Sequence, residues 1–272
     1  MNNLAKRTLS GIALIVIIAA AILLSEYSML GLVFLIYTIS VFEYRRMMKV
    51  QNSFLFALTI ISGLLFIGLN YLYLIGSIGL SAYLIFIISA LFAYLFYYLL
   101  FNRTSIVEVS GMLFASVWIA GSLSFYVALG FIDSPVHYQP VIMLIILGLI
   151  WVHDIAAYVT GSLFGKRTLA PRISPGKTVE GFIGGILFNA LAGYVVFIIT
   201  GKQTLLFWVL VAMVISMAAT AGDLLESKLK REAGVKDSGS LIPGHGGMLD
   251  RFDSLFFSAP LVYMVFLIIE KL

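Results

Sequence analysis

The side chains that could support chemistry are concentrated in one polar stretch, residues 227–255. It holds five of the chain's 17 Lys and Arg, one of its three His and four of its 13 Asp and Glu, although the whole chain is only 11% charged and 61% hydrophobic. Basic groups, a Gly-rich turn and spaced carboxylates together suit a substrate that combines phosphate with metal. We therefore expect the chemistry of this protein in that stretch.

The residues that lead into this stretch from the preceding apolar segment share a helical spacing. Asp223, Glu226, Ser227 and Lys230 stand at offsets 0, 3, 4 and 7, which places them on one face of a helix. Two carboxylates, a hydroxyl and an ammonium group would then meet at the membrane surface. A solvated helix end would tolerate the same side chains, so the spacing alone leaves both interpretations open.

Two aspartates follow a Gly-rich turn around His245. Asp250 and Asp253 are one turn apart at a predicted helix start, on either side of Arg251. Capping of the helix would explain one of them, whereas the pair suits Mg²⁺, which typically binds one or two carboxylates with waters and phosphate oxygens. The three His residues are too scattered for a zinc site, so we assign His245 to substrate.

A second polar loop, 164–178, is rich in Lys and Arg, and part of that charge is the usual cytoplasmic bias of membrane proteins. Ser174, Lys177 and Thr178 lead directly into the next apolar segment. A Lys and hydroxyls at a helix N-terminus can bind phosphate. The loop is not a Walker A motif, because Pro171 stands where that motif requires Gly.

Long apolar segments must position these residues. The mean hydropathy is +1.07, and apolar runs near 20 residues long, enough to cross roughly 30 Å of hydrocarbon, recur along the chain. They do not alternate as β-barrel strands would. The sequence therefore predicts an all-α polytopic membrane protein, and we place its nine spans at about 9–25, 29–42, 53–72, 80–101, 109–131, 139–163, 179–200, 204–224 and 253–269.

The distribution of positive charge predicts the orientation. With the N-terminus in the cytoplasm, nine spans put 15 of the 17 Lys and Arg on the cytoplasmic side, and only Lys202 and Lys271 on the opposite side with the C-terminus. A cleaved signal peptide at the first span is the alternative, which the spans that follow immediately disfavour. The absence of Cys excludes disulfides and thiolate-bound metal.

The carboxylates divide the chain into two regions. The first five spans have essentially no charge in their apolar cores, so we interpret residues 1–137 as a transmembrane scaffold. Asp154 lies well inside the sixth span, where a carboxylate is costly unless it faces a polar cavity or an ion. We therefore interpret 138–272 as the catalytic region, with cytoplasmic loops at 164–178 and 225–252.

Residues 227–253 resemble the signature of the phosphatidate cytidylyltransferases, also called CDP-diacylglycerol synthases. The resemblance extends to residues 154–158, 174–178 and 222–223, and therefore covers about 150–260. All fourteen specified signature positions match: Ser227, Lys230, Arg231, Lys236, Asp237, Gly239, Ile242, Pro243, His245, Gly246, Gly247, Asp250, Arg251 and Asp253.

The resemblance implies that CTP and phosphatidic acid react to give CDP-diacylglycerol and pyrophosphate. We assign Mg²⁺ to Asp223, Asp250 and Asp253, with Asp154 and Glu226 as secondary candidate ligands. The other predicted catalytic residues are Lys230, Arg231, Lys236, Asp237 and Arg251. The predicted substrate-binding residues are Ser174, Lys177, Thr178, Ser227, His245, Gly246 and Gly247.

The expected partners are the two substrates and the lipid bilayer, without nucleic acid, and a second metal ion and a homodimer are left open. The expected location is a bacterial cytoplasmic (inner) membrane, with the active site on its cytoplasmic side.

Three other functions would use similar features. A lipid-alcohol kinase using CTP or ATP would need a base for a neutral hydroxyl, and only Asp154 or Asp237 could serve. A CDP-alcohol phosphotransferase would need a paired Asp-x-x-Asp-Gly element that is missing. An ion-coupled transporter also buries carboxylates, but here the charges cluster at one membrane face and no inverted second half is visible.

Overall fold

The structure is a computed structural model that describes residues 3–101, 104–132, 137–239, 241 and 246–269, without the side chains of residues 3–9. Most of these residues lie in helices. Their bounds are α1 Asn3–Leu24, α2 Glu26–Met47, α3 Ser53–Leu74, α4 Leu80–Leu100, α5 Ile106–Ala115, α6 Gly121–Leu129, α7 Pro140–Phe164, α8 Val179–Thr200, α9 Leu205–Glu232 and α10 Leu249–Ile269. The predicted all-α fold is confirmed.

Most of the helices are suited to a membrane. A π-helical turn, Ser116–Ala120, joins α5 and α6 into one segment, Ile106–Leu129. In the described ranges, eight helical segments are long and apolar enough to cross a bilayer, and they correspond to the last eight predicted spans. The apolar part of α1, Ser10–Leu24, is shorter. The orientation stays a prediction.

Two helices extend well past their predicted ends. The second span was expected to end at residue 42, but α2 continues to Met47, which brings Glu43 inside the helix. The eighth span was expected to end at residue 224, but α9 continues to Glu232 with Lys230 and Arg231 in its last turn. Cations there interact favourably with the negative end of the helix dipole. The predicted loop 225–252 therefore begins as helix.

The loop between α7 and α8 contains a small hairpin that the sequence analysis did not predict. Strand β1, Thr168–Ala170, pairs antiparallel with β2, Ser174–Thr178. Thr178 then caps α8, since its Oγ1 accepts a hydrogen bond of 3.0 Å from the backbone N–H of Gly181. The predicted start of a helix directly after Thr178 is confirmed.

By packing, the chain forms two compact units. The first comprises Met1–Pro140 together with Asp237–Arg251, and the second comprises Val141–Lys236 together with Phe252–Leu272. The predicted division into scaffold and catalytic region is a functional one that the packing does not test. The packing assigns the polar loop after Lys236 to the N-terminal unit. Glu43 of that unit accepts hydrogen bonds from the end of this loop.

Hydrogen bonds between buried side chains and backbone link the helices of each unit. In the first unit, Tyr37 donates to the carbonyl of Thr59 at 2.6 Å. In the second, Asn189 on α8 donates to the carbonyl of Ala212 on α9 at 2.8 Å. A Cβ atom on Gly193 would lie 2.6 Å from the carbonyl oxygen of Trp208. Small residues and polar links of this kind hold helices together where the surrounding lipid is as apolar as the side chains.

Candidate active site

A cluster of three carboxylates lies in the second unit. Asp223 and Glu226 of α9 and Asp253 of α10 each offer an oxygen within 4.8 Å of the others. Glu226 is fully buried and Asp253 is 7% exposed. The helices approach closely at this point because position 222 is Gly: a Cβ atom there would lie 2.5 Å from the carbonyl oxygen of Asp253. Grouping buried negative charges in this way is costly unless cations balance them.

Two lysines supply part of that balance. Lys230 pairs with Glu226 one helical turn away, and Lys177, from the end of β2, pairs with Asp223. Ser227 also donates to Asp223 Oδ1 at 3.2 Å. The helical face predicted from the spacing is therefore present. Three carboxylates and two ammonium groups leave a formal charge of −1, which a divalent cation would reverse.

The hairpin loop, whose second strand carries Lys177, is attached to the start of α8. The carboxylate of Glu180 accepts backbone hydrogen bonds from Lys166 at 3.0 Å and Arg167 at 3.1 Å. The Arg167 side chain also pairs with it at 3.2 Å. This connection holds the hairpin against the helix start, where the sequence analysis predicted phosphate contacts for Ser174, Lys177 and Thr178. Those contacts stay predictions.

The donor set fits a hard divalent cation. Carboxylate oxygens are the protein ligands that Mg²⁺ prefers, and three of them come together here, with Glu226 fully buried. The negative charge of Asp154 on α7 also acts on Asp253. Four of the five carboxylates proposed from sequence therefore interact in one region of the second unit. Their role as metal ligands stays a prediction.

Asp250, the fifth of these carboxylates, takes part in hydrogen bonds within the polar loop of the first unit. Its Oδ2 accepts from the backbone N–H of Ser238 at 3.1 Å, from the Ser238 hydroxyl at 2.9 Å and from the backbone N–H of Gly247 at 2.9 Å. These bonds join the two ends of the loop. The predicted metal role of Asp250 is not tested by them.

The same loop has a second acidic partner that the sequence analysis missed. Glu43 of α2 is 5% exposed and accepts backbone hydrogen bonds from Met248 at 3.0 Å and Leu249 at 2.8 Å. The available signal was a carboxylate next to an apolar segment, but the neighbouring Arg45 and Arg46 made it resemble the charged end of a span.

The remaining predicted residues lie mostly at the surface. Arg231, Lys236, Asp237 and Arg251 are exposed, and the Arg231 side chain donates at 3.4 Å to the carbonyl of Ile173. Gly246 has a φ of 85°, a conformation that favours Gly. His245 lies outside the described residues. Arg231 and Lys236 belong to the same unit as the carboxylate cluster, and exposed cations of this kind could attract a polyphosphate from the aqueous side.

Comparisons with known proteins identify the family of the chain. The family model described as "Cytidylyltransferase family" matches residues 5–269, and the chain therefore belongs to that family. The chain is 30% identical over 274 residues to the phosphatidate cytidylyltransferase of Bacillus subtilis, covering 97% of this chain and 98% of the relative.

Matches to staphylococcal proteins cover less of the chain but at higher sequence identity. The phosphatidate cytidylyltransferase of Staphylococcus saprophyticus is 42% identical over 144 residues, 50% of this chain and 54% of the relative. That of Staphylococcus epidermidis is 49% identical over 115 residues, 42% of this chain and 44% of the relative.

Proposed function

We propose that this protein is a phosphatidate cytidylyltransferase, which transfers CMP from CTP to phosphatidic acid and forms CDP-diacylglycerol and pyrophosphate. The observation that carries the proposal is the buried carboxylate cluster with its two paired lysines, in a chain of the cytidylyltransferase family. Its relatives over most or part of the chain bear the name of this activity.

The chemistry matches the kind of residues present. A phosphate monoester has a second pKa near 6, so phosphatidic acid is largely ionised at neutral pH and needs no catalytic base. Its oxygen forms the new bond to the α-phosphorus of CTP, and the bond from that phosphorus to the bridging oxygen breaks, so that pyrophosphate leaves with the electron pair. The main obstacle is bringing two polyanions together, which favours cations over a Ser-His-Asp arrangement.

The lysines of the cluster have a specific part in this proposal. Lys177 and Lys230 are held by Asp223 and Glu226, and both are only partly exposed. When phosphates enter the site, each ammonium group would exchange its carboxylate partner for a phosphate oxygen. Arg231, Lys236 and Arg251, which are exposed, would bind the outer phosphates.

We propose Mg²⁺ as the metal and Asp223, Glu226 and Asp253 as the residues that would hold it, with Asp154 of the same unit as a further ligand. Bound there, Mg²⁺ would supply neutralisation of phosphate charge and of the pyrophosphate leaving group. The three carboxylates of α9 and α10 would fix its position, since all three side chains belong to long helices rather than to loops.

The proposal places the reaction at the cytoplasmic face of a bacterial membrane. CTP would arrive from the aqueous side, where the exposed cations lie, and the lipid head group would enter laterally among α7, α8, α9 and α10. The multiple apolar helices support an integral membrane protein, and the side on which the site lies follows from the predicted orientation.

The test is incorporation of labelled CTP into lipid by the purified full-length protein, with Mg²⁺ and with either phosphatidic acid or a lipid alcohol. We expect a CDP-lipid and pyrophosphate with phosphatidic acid alone, and no product when a chelator removes the metal. A phosphorylated alcohol with release of CDP would replace the proposal by a lipid kinase. Folded protein that converts neither lipid would contradict an enzymatic role.

A further inference from the structure

Glu43 is a buried carboxylate at the end of a span that otherwise resembles scaffold. Its two oxygens have separate backbone partners: Oε1 accepts from the N–H of Met248 at 3.0 Å, and Oε2 accepts from the N–H of Leu249 at 2.8 Å. The Ser238 hydroxyl lies 3.4 Å from Oε2. Glu43 and Met248 are separated by 205 residues in the sequence, so this contact is made only in the folded chain.

The donors that Glu43 receives belong to the start of α10. The first N–H groups of a helix have no partner within the helix, and α10 begins at Leu249. A carboxylate from α2 therefore caps the helix that carries Asp250, Arg251 and Asp253. Its negative charge also interacts favourably with the positive end of the helix dipole.

Two glycines of the polar loop leave room for this carboxylate. A Cβ atom on Gly247 would lie 2.5 Å from Glu43 Oε2, and one on Gly239 would lie 2.7 Å from Glu43 Cδ. Both distances are too short for an ordinary contact. Glu43 therefore supplies a local reason for Gly at two positions of the polar loop, in addition to the predicted substrate contact of Gly247.

We infer that Glu43 is a positioning residue, which fastens the polar loop and the first turn of α10 and so orients Asp250 and the residues that follow it. The inference rests on the proposed cytidylyl transfer for its effect on turnover, but not for the contact itself. Asp250 completes the fastening, because its Oδ2 accepts from Ser238 and Gly247 at the two ends of the loop.

The contact can be tested without activity by hydrogen–deuterium exchange of the full-length protein in lipid nanodiscs. Glu43→Gln keeps the size of the side chain but replaces one acceptor oxygen by a donor group. We expect exchange in the peptide covering 246–250 to accelerate roughly 10- to 100-fold, as expected for a lost hydrogen bond to a charged group. The matched control is Glu108→Gln, which alters a local cap on α5, where Glu108 accepts from Ser105 at 3.4 Å. Unchanged exchange at 246–250 would overturn the inference.

The effect on turnover separates positioning from stability. For Glu43→Gln we expect kcat for CDP-lipid formation to fall roughly tenfold or more while KM for CTP changes little, the pattern of an interaction that matters in the transition state. Faster exchange with an unchanged kcat would overturn the positioning role. If the unaltered protein makes no CDP-lipid, the proposed function fails, whereas the exchange measurement still decides the contact.

A second pair of variants covers the case in which Glu43→Gln does not fold. Gly239→Ala alone should lower kcat, because the added methyl meets the Glu43 carboxylate. Combining it with Glu43→Asp, whose carboxylate is one methylene shorter, should restore part of the activity, a non-additive result expected only for side chains in direct contact. Additive losses would contradict the inference.

Discussion

At the scale of single residues, the carboxylate cluster is defined by how its charges are balanced. Asp223 and Glu226 each have a lysine partner, whereas Asp253 lies in the same cluster and accepts the backbone N–H of Ser254 at 2.7 Å. The three carboxylates of the cluster thus exceed its two paired lysines by one negative charge, before Asp154 is counted, and a divalent cation is the expected counterion. Loss of one carboxylate should therefore weaken metal binding more than it weakens folding.

The first prediction concerns Asp223→Asn, which keeps the shape of the side chain and removes its charge. We expect CDP-lipid formation to fall by on the order of 100-fold, the size of loss that removal of one electrostatic stabilising group typically causes. The residual activity should need a higher Mg²⁺ concentration, and initial rates across a Mg²⁺ titration measure both effects.

The control for this variant is Glu232→Gln on the same helix. Glu232 forms an exposed ion pair with Lys228 at 3.8 Å, and exposed pairs contribute about 0–1 kcal/mol. Its rate should stay within about twofold of the unaltered protein, since so weak a surface pair has little effect on the site. Equal losses in both variants would show that the cluster has no special role.

At the scale of elements, Gly222 leaves room for the close approach of the two helices that carry the cluster. Gly222→Ala should force α9 and α10 apart, because the new Cβ would meet the backbone oxygen of Asp253 at 2.5 Å. Overpacking of this kind typically costs about 1–3 kcal/mol, and the displaced carboxylates should lower turnover as well. Thermal unfolding in detergent and the CTP incorporation rate, measured on the same preparation, check this.

A Gly in open surroundings provides the comparison. A Cβ atom on Gly31 of α2 would have no neighbour within 4 Å, so Gly31→Ala should leave activity unchanged. It should raise stability by up to roughly 1 kcal/mol through helix propensity. A Gly222→Ala protein as stable and active as Gly31→Ala would refute the close packing of α9 on α10.

Whether a part of the site could be predicted from sequence depends on whether its residues belong to one helix or to distant elements. The face with Asp223, Glu226 and Lys230 was predictable because the geometry of one helix determines which residues three and four apart meet. Glu43 was not, since its partners lie 195 to 206 residues away and no local pattern indicates them. The hairpin 168–178 was missed because Pro and Gly within it are typical of loops rather than strands.

At the scale of the whole molecule, the number of spans and the charge distribution determine on which side of the membrane the chemistry occurs. In the described ranges, eight helical segments correspond to the last eight predicted spans, but helix lengths carry no information about direction. The direction rests on the 15 Lys and Arg that nine spans place on one side. An independent measurement of sidedness is therefore required for the proposed use of cytoplasmic CTP.

The absence of Cys from the sequence makes that measurement direct, because a single introduced Cys is then the only thiol in this protein. Arg172→Cys and Gln203→Cys are suited to it: both residues are exposed, and they lie on the connections that precede and follow α8. If α8 crosses the bilayer in the predicted direction, a membrane-impermeant maleimide applied to intact cells should modify Gln203→Cys and leave Arg172→Cys unmodified. Permeabilised cells should show modification of both.

The opposite labelling pattern would reverse the orientation and place the carboxylate cluster and its exposed cations away from cytoplasmic CTP. That result would contradict the proposed reaction even if the purified protein bound the nucleotide. Labelling of both positions from outside would instead show that α8 does not cross the bilayer, which is difficult to reconcile with its 22 apolar-rich residues. The predicted pattern, together with CDP-lipid formation that depends on Asp223, would place the reaction at the cytoplasmic end of α9, the helix that carries Asp223, Glu226 and Lys230.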